Sequence, residues 1–270
     1  MKRKITYTFI YIILTIAAFV SVFPFYWMIV GSTNQSIDVN KGKLTFGTHF
    51  LTNFKNLVNN YNLGEVLWNS IQVSFFVVIF SLIVSSMAGY GFEMYKSKGH
   101  NYIYGAVLLT MMIPFAALMV PVFKLMTFFN LIDSLWGVIL PMIPSVFLIF
   151  FFRQNFQQYP KEIIMAARVD GASELRIFFS IVMPSMKATY AAGAIYSFLS
   201  SWNAYMQPLV IIQSQKKRTM ALFIANLASG YQPDFGLVMT AVVIATLPTL
   251  ILFFTLQKHF VQGVLGSVKQ

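Results

Sequence analysis

The residues able to do chemistry in this chain are few, and their spacing excludes more than it permits. There is no cysteine, which removes disulfides, thiolate metal sites and thiol nucleophiles together. His49, His100 and His259 stand far apart, and none has a second His or a carboxylate at the spacing of a helical metal pair. No Gly-x-x-x-x-Gly-Lys-Ser/Thr run occurs, so the chain has no P-loop with which to cradle ATP. Carboxylates cluster at one place, where Glu162, Asp170 and Glu174 share a polar island from Tyr159 to Pro184. Their neighbours are helix formers interrupted by turn residues, which suits docking to another surface better than acid–base catalysis. The chain reads as a non-enzyme that needs no cofactor and no metal.

The elements that must hold this island are apolar. Of 270 residues, 57% are hydrophobic and 10% charged, against about 25% charged in soluble domains. A span needs about 20 apolar residues to cross a hydrocarbon core of roughly 30 Å. Six windows free of Asp, Glu, Lys and Arg qualify: Ile5–Ile37, Val66–Phe92, Gly99–Phe123, Ser134–Phe152, Ala188–Gln215 and Phe235–Gln257. The expectation is an all-α integral membrane protein with six transmembrane helices, a single domain over residues 1–270. Met1-Lys2-Arg3-Lys4 before an apolar run resembles a secretion signal. The uncharged run exceeds the usual stretch of about 7–15 residues, so it reads as a retained first helix. Pro114 and Pro121 should kink the third span, since each removes a backbone hydrogen bond. Ser81, Ser85, Ser86, Ala88 and Gly89 are small enough for close helix approach in the second.

A net charge of +11 on a soluble domain would suggest nucleic acid. Here the cations fall between apolar spans and record topology, so no nucleic-acid partner is expected. With the N-terminus inside, 12 Lys and Arg lie on the inner side and 7 on the outer, the bias that sets orientation in a bilayer. Residues 32–64 then form an exterior loop, residues 153–187 an interior segment and residues 258–270 an interior tail.

Within the interior segment, Pro160 suits the first turn of a helix, and Glu162 to Arg168 are good helix formers. Ile163, Ala166 and Ala167 fall on one face by spacing. Asp170-Gly171 should end that helix through a left-handed glycine, and Ser173 can cap a second. The product is a helix–turn–helix elbow at the membrane surface.

This pattern resembles the EAA loop of ABC importer permeases, and most of all the carbohydrate-import, maltose-permease-like branch. The usual form there is Glu-Ala-Ala-x-x-Asp-Gly-Ala. Ala166-Ala167-Arg168-Val169-Asp170-Gly171-Ala172 matches it, while Met165 stands where the Glu belongs. A second proline common after Pro184 is also missing, because position 188 is Ala188. Ser201-Trp202-Asn203 with Pro208-Leu209, Leu247-Pro248, and Phe260-Val261-Gln262-Gly263 with Gly266-Ser267-Val268-Lys269 extend the similarity over residues 20–269.

The resemblance implies a type I importer permease fold with a cytoplasmic coupling loop, in a bacterial plasma membrane with both termini cytoplasmic. It implies four partners: a second permease in a heterodimer, a cytoplasmic ATP-binding subunit dimer, an extracytoplasmic solute-binding protein, and a sugar, oligosaccharides above all. Glu162, Met165, Ala166, Ala167, Asp170, Gly171 and Ala172 would couple to the ATPase, and the tail could reach it too. Trp202, Asn203, Tyr205 and Gln207 offer the rings and amides that hold sugars, and equally the groups that pack helices. A permease for a non-sugar solute stays open as an alternative, as does a secondary transporter. The latter usually places ionisable residues inside its spans, and these six windows have no Asp, Glu, Lys or Arg.

Overall fold

The computed structural model describes the backbone of residues 2–266 and the side chains of residues 7–255. The expected tail at residues 258–270 lies outside the described side chains. Among the described residues the structure is helical with no strand, because only helices and closed barrels satisfy every backbone group within lipid.

Four helical stretches are long and apolar enough to cross a membrane: Tyr7–Ser32, Leu63–Met94, Leu135–Gln157 and Phe235–Thr255. They occupy four of the six expected windows. The other two are helical but broken, and prolines give the reason. In the third window the helix α5 (numbering all helices in chain order, Lys98–Leu109) passes through a 3-10 turn and then bends by 105° into α6, Phe115–Phe128. Pro114 forces Ile113 into extended backbone (φ −83°, ψ 115°), whereas Pro121 sits inside α6 without breaking it. The fifth window divides into α12, Lys187–Trp202, and α13, Met206–Ile211. Pro208 cannot donate to the carbonyl of residue 204 and crowds it, which favours the break at 203–205.

The chain forms two compact units. One comprises residues 1–64 and 223–247. It contains α1 (Lys2–Ser32), α2 (Ser36–Asn40), α3 (Phe50–Tyr61) and the first part of α15 (Phe235–Gly266). Residues 7–26 of α1 are exposed, and burial begins near its end at Val30 and Ser32. There Asn53 donates its amide to the carbonyls of Ser32 (3.0 Å) and Asn34 (3.1 Å), and Thr240 donates to Ser32 (3.3 Å). These bonds satisfy carbonyls that the end of a helix leaves orphaned.

The second unit comprises residues 65–222 and 248–270. It holds most of α4 (Leu63–Met94), the bent α5–α6 pair, α7 (Leu135–Met142), α8 (Val146–Gln157), the interior segment, α12 and α13. α14, Met220–Ala228, begins at its edge. The small residues of α4 act as their sizes suggest. A side chain on Gly89 would stand 2.9 Å from the backbone nitrogen of Arg153 on α8, so only glycine lets the two backbones meet there. Ser81 and Ser197 join α4 to α12 by a 2.7 Å hydroxyl pair. At the other end of the unit, Asp133 accepts from the backbone N–H groups of Gln213 (3.0 Å) and Ser214 (2.9 Å). The Ser214 bond is foremost in holding the Asp133 carboxyl below its ordinary value.

Candidate functional site

The polar island folds as a helix–turn–helix. Pro160 precedes α9, Lys161–Val169, and Glu162 lies in its first turn, where the positive end of the helix favours a carboxylate. Asp170 closes the helix and Gly171 follows at φ +78°. The N–H of Gly171 bonds to the carbonyl of Arg168 and that of Ala172 to the carbonyl of Ala167, both at 3.0 Å. This is the Schellman pair that satisfies the last carbonyls of a helix. α10, Glu174–Ile177, then leads through a π-helical turn (Phe178–Val182) and the short α11 (Met183–Ser185) into α12. Ser173 stands at the head of α10 but makes no side-chain cap bond, contrary to expectation. Glu174 is drawn instead to Arg168, whose Nε donates to it at 2.6 Å. That bond, first among its causes, holds the Glu174 carboxyl below its ordinary value.

The structure divides the residues that spacing grouped on one face of α9. Ile164 and Ala167 are buried, while Ile163 and Ala166 are exposed. Ile164 and Ala167 join Ile177, Phe178 and Val182 in a core with Tyr90 of α4 and Phe152 and Phe156 of α8. Ile164 and Ile177 are almost fully buried, which contributes about 1.5–3 kcal/mol each relative to exposure to water. The opposite face presents Met165 (59% exposed), Val169 (87%), Ile163 and Leu175, with Glu162, Asp170 and Gly171 also exposed. Of the seven coupling candidates, Glu162, Met165, Ala166, Asp170 and Gly171 therefore face outward. Ala167 is buried and Ala172 packs against the core.

The four substrate candidates flank the break between α12 and α13. Trp202 is buried and stacks on Phe198 at 5.3 Å. Gln207 is buried and donates to the carbonyl of Val138 at 3.1 Å. Asn203 donates to its own helix, at the carbonyl of Leu199 (2.9 Å), and Asn203 and Tyr205 are exposed. The break thus exposes Asn203 and Tyr205 between two internally engaged side chains, Trp202 and Gln207.

Residues 81–266, which include both the elbow and this break, match the family described as the binding-protein-dependent transport system inner membrane component. The chain belongs to that family. The permease is 45% identical over 269 residues to a lactose transport system permease protein of Rhizobium radiobacter, covering 100% of this chain and 98% of that one. It is 36% identical over 280 residues to an arabinooligosaccharides transport system permease protein of Halalkalibacterium halodurans, covering 100% of each. Its fold matches, at a TM-score of 0.85 and 20% identity, a chain of a bacterial ABC transporter involved in the import of the acidic polysaccharide alginate, covering 96% of this chain and 98% of that one.

Sequence reasoning missed how the permease holds its elbow. Glu93 reads as a loop charge beyond an apolar window, yet it lies on the last turn of α4 with its side chain 1% exposed. Lys96 (2.6 Å), Lys161 (3.4 Å) and Arg153 (3.7 Å) converge on it. Arg153 also lies over the Tyr104 ring, 3.8 Å from its centre, a favourable placement for a cation. One turn back, the Tyr90 hydroxyl donates to Glu174 at 3.2 Å. Lys96, three residues on from Glu93, was the available signal; only folding brings Arg153 and Lys161 to the same carboxylate.

Proposed function

We propose that this chain is a transmembrane permease subunit of an ATP-driven sugar importer, with oligosaccharides as its cargo. It forms the path with a second permease, is driven by a separate cytoplasmic ATP-binding dimer, and receives solute from an extracytoplasmic binding protein. The observation that carries this reading is the two-faced elbow. One face is fixed in the permease core; the other exposes Ile163, Met165 and Val169 of α9 and Leu175 of α10, interspersed with Glu162 and Asp170. Exposed apolar side chains of this number, set among charges, suit a protein docking surface. With Met165 at the position where a Glu is usual, that docking rests on apolar contact. ATPase closure shifts the permease between states only through a difference in binding free energy; moving the balance from 1:99 to 99:1 takes about 5.5 kcal/mol.

The sugar assignment is supported by relatives named for lactose and arabinooligosaccharides. In this reading Asn203 and Tyr205 face the solute at the break, while Trp202 and Gln207 hold the break open from behind. Irregular backbone inside a span is tolerated where it lines a cavity. The elbow and both termini lie in the cytosol, and residues 32–64 and 213–234 lie outside, as the 12-to-7 distribution of cations favours.

The test is reconstitution. Vesicles carrying the full complex should take up radiolabelled lactose or an arabinooligosaccharide only with internal ATP. Uptake by this chain in vesicles that contain no ATPase would overturn the reading, and ATP-driven uptake of a non-sugar solute in place of both sugars would overturn the cargo assignment.

A further inference from the structure

We propose that Glu93 is a positioning residue that fastens the coupling elbow to α4, so that the elbow cannot move without carrying that span; this rests on the coupling reading above. A carboxylate with its side chain 1% exposed costs several kcal/mol to desolvate unless it is paired. Glu93 is paired from three elements at once: Lys96 just past the end of α4, Arg153 on α8 and Lys161 on the elbow. Lys161 is the telling partner. It is the first residue of α9, where the helix dipole disfavours a cation, and its ammonium reaches Glu93 Oε1 at 3.4 Å.

A single contact would let the elbow pivot. The structure supplies a second, because Tyr90 lies three residues before Glu93 and so on the same face of α4. Its hydroxyl donates to Glu174 at 3.2 Å, and Glu174 is the first residue of α10. α4 therefore grips the first residue of each elbow helix. Two attachment points along one helix block rotation about either, and a push on the elbow becomes a displacement of α4. Lys161 can be changed without stranding a buried charge, because Glu93 keeps Lys96 and Arg153. Loss of Glu93 would instead leave Arg153, 12% exposed, unpaired.

The test uses the assembled complex and the natural absence of cysteine. Single cysteines are placed at Ser173 on the elbow and at Glu65, an exposed position at the far end of α4 and outside its apolar window, and maleimide labelling rates are compared with and without ATP plus vanadate. In an otherwise native chain both rates should change on trapping. In Lys161→Met the response at 173 should persist, while that at 65 falls by about fivefold, the scale of one ion pair. Lys161→Arg should restore it, which a generally destabilised protein would not do. An undiminished response at 65 in Lys161→Met overturns the proposal while leaving the coupling reading intact. No response at either position in the native complex overturns both.

Discussion

Gly171 is the residue on which the elbow's shape turns. At φ +78° nothing would touch an added side chain, so the position needs glycine for its backbone and not for space. Gly171→Ala should weaken the elbow by about 1–2 kcal/mol, the cost of the left-handed region for an L-residue. Gly171→Pro adds loss of the N–H that bonds to Arg168 and should abolish solute-stimulated ATP hydrolysis while the protein still inserts. Membrane yield and phosphate release measure the two effects, and normal stimulation in the proline variant would remove the elbow from the mechanism. Glu174 gives the elbow a pH dependence of known sign. Its folded pKa lies below the ordinary 4.5, with the Arg168 bond as the first cause. Its contribution is therefore complete above about pH 4.5 and is lost as pH falls through the lower folded value. Hydrogen exchange of the α9–α10 amides, corrected for intrinsic rate, should lose protection in acid, and Glu174→Gln should flatten that loss.

Among the helices, α4 meets the backbone of α8 at Gly89. Gly89→Leu drives a side chain into the Arg153 backbone, which cannot withdraw as a flexible side chain can. Overpacking of this kind costs about 1–3 kcal/mol, and the melting temperature in detergent should fall accordingly. Gly171→Ala should leave the melting temperature nearer native, since it disturbs a surface turn and no helix contact. α12 and α13 show the opposite use of a helix. Their break exposes Asn203 and Tyr205 while Trp202 and Gln207 fix its two sides. If that break meets solute, Tyr205→Ala should raise the apparent KM for sugar uptake while ATPase binding is unchanged. An unaltered KM would assign the break a structural role alone.

For the whole molecule, orientation is the property that organises the rest. With no native cysteine, single introduced cysteines report sidedness without background. A cysteine at Leu175 on the elbow should react with an impermeant maleimide only from the cytosolic side. One at Lys216, between α13 and α14, should react only from the opposite side. Reaction of both from one face would overturn the topology and the docking of an ATPase with it.

Charge spacing, proline placement and the Asp170-Gly171 turn made much of this protein legible in one dimension. They act through neighbours in the chain: a window without charges spans lipid, Pro114 frees a nearby carbonyl, and a glycine ends the helix before it. The same locality explains the readings that changed. Spacing groups Ile163, Ala166 and Ala167 on one stripe, yet of the three only Ala167 is buried, because which side turns inward depends on where Tyr90, Phe152 and Phe156 stand, and those residues are remote in sequence. The exposure of Met165 is likewise a property of the packed elbow. Glu93 looked like a loop charge because its partner Lys161 is 68 residues away. Local sequence determined the elements and the turn, since backbone sterics and hydration act over a few residues. Only tertiary packing decided which faces are buried and which charges meet, because desolvation and Coulomb energy depend on distance in space.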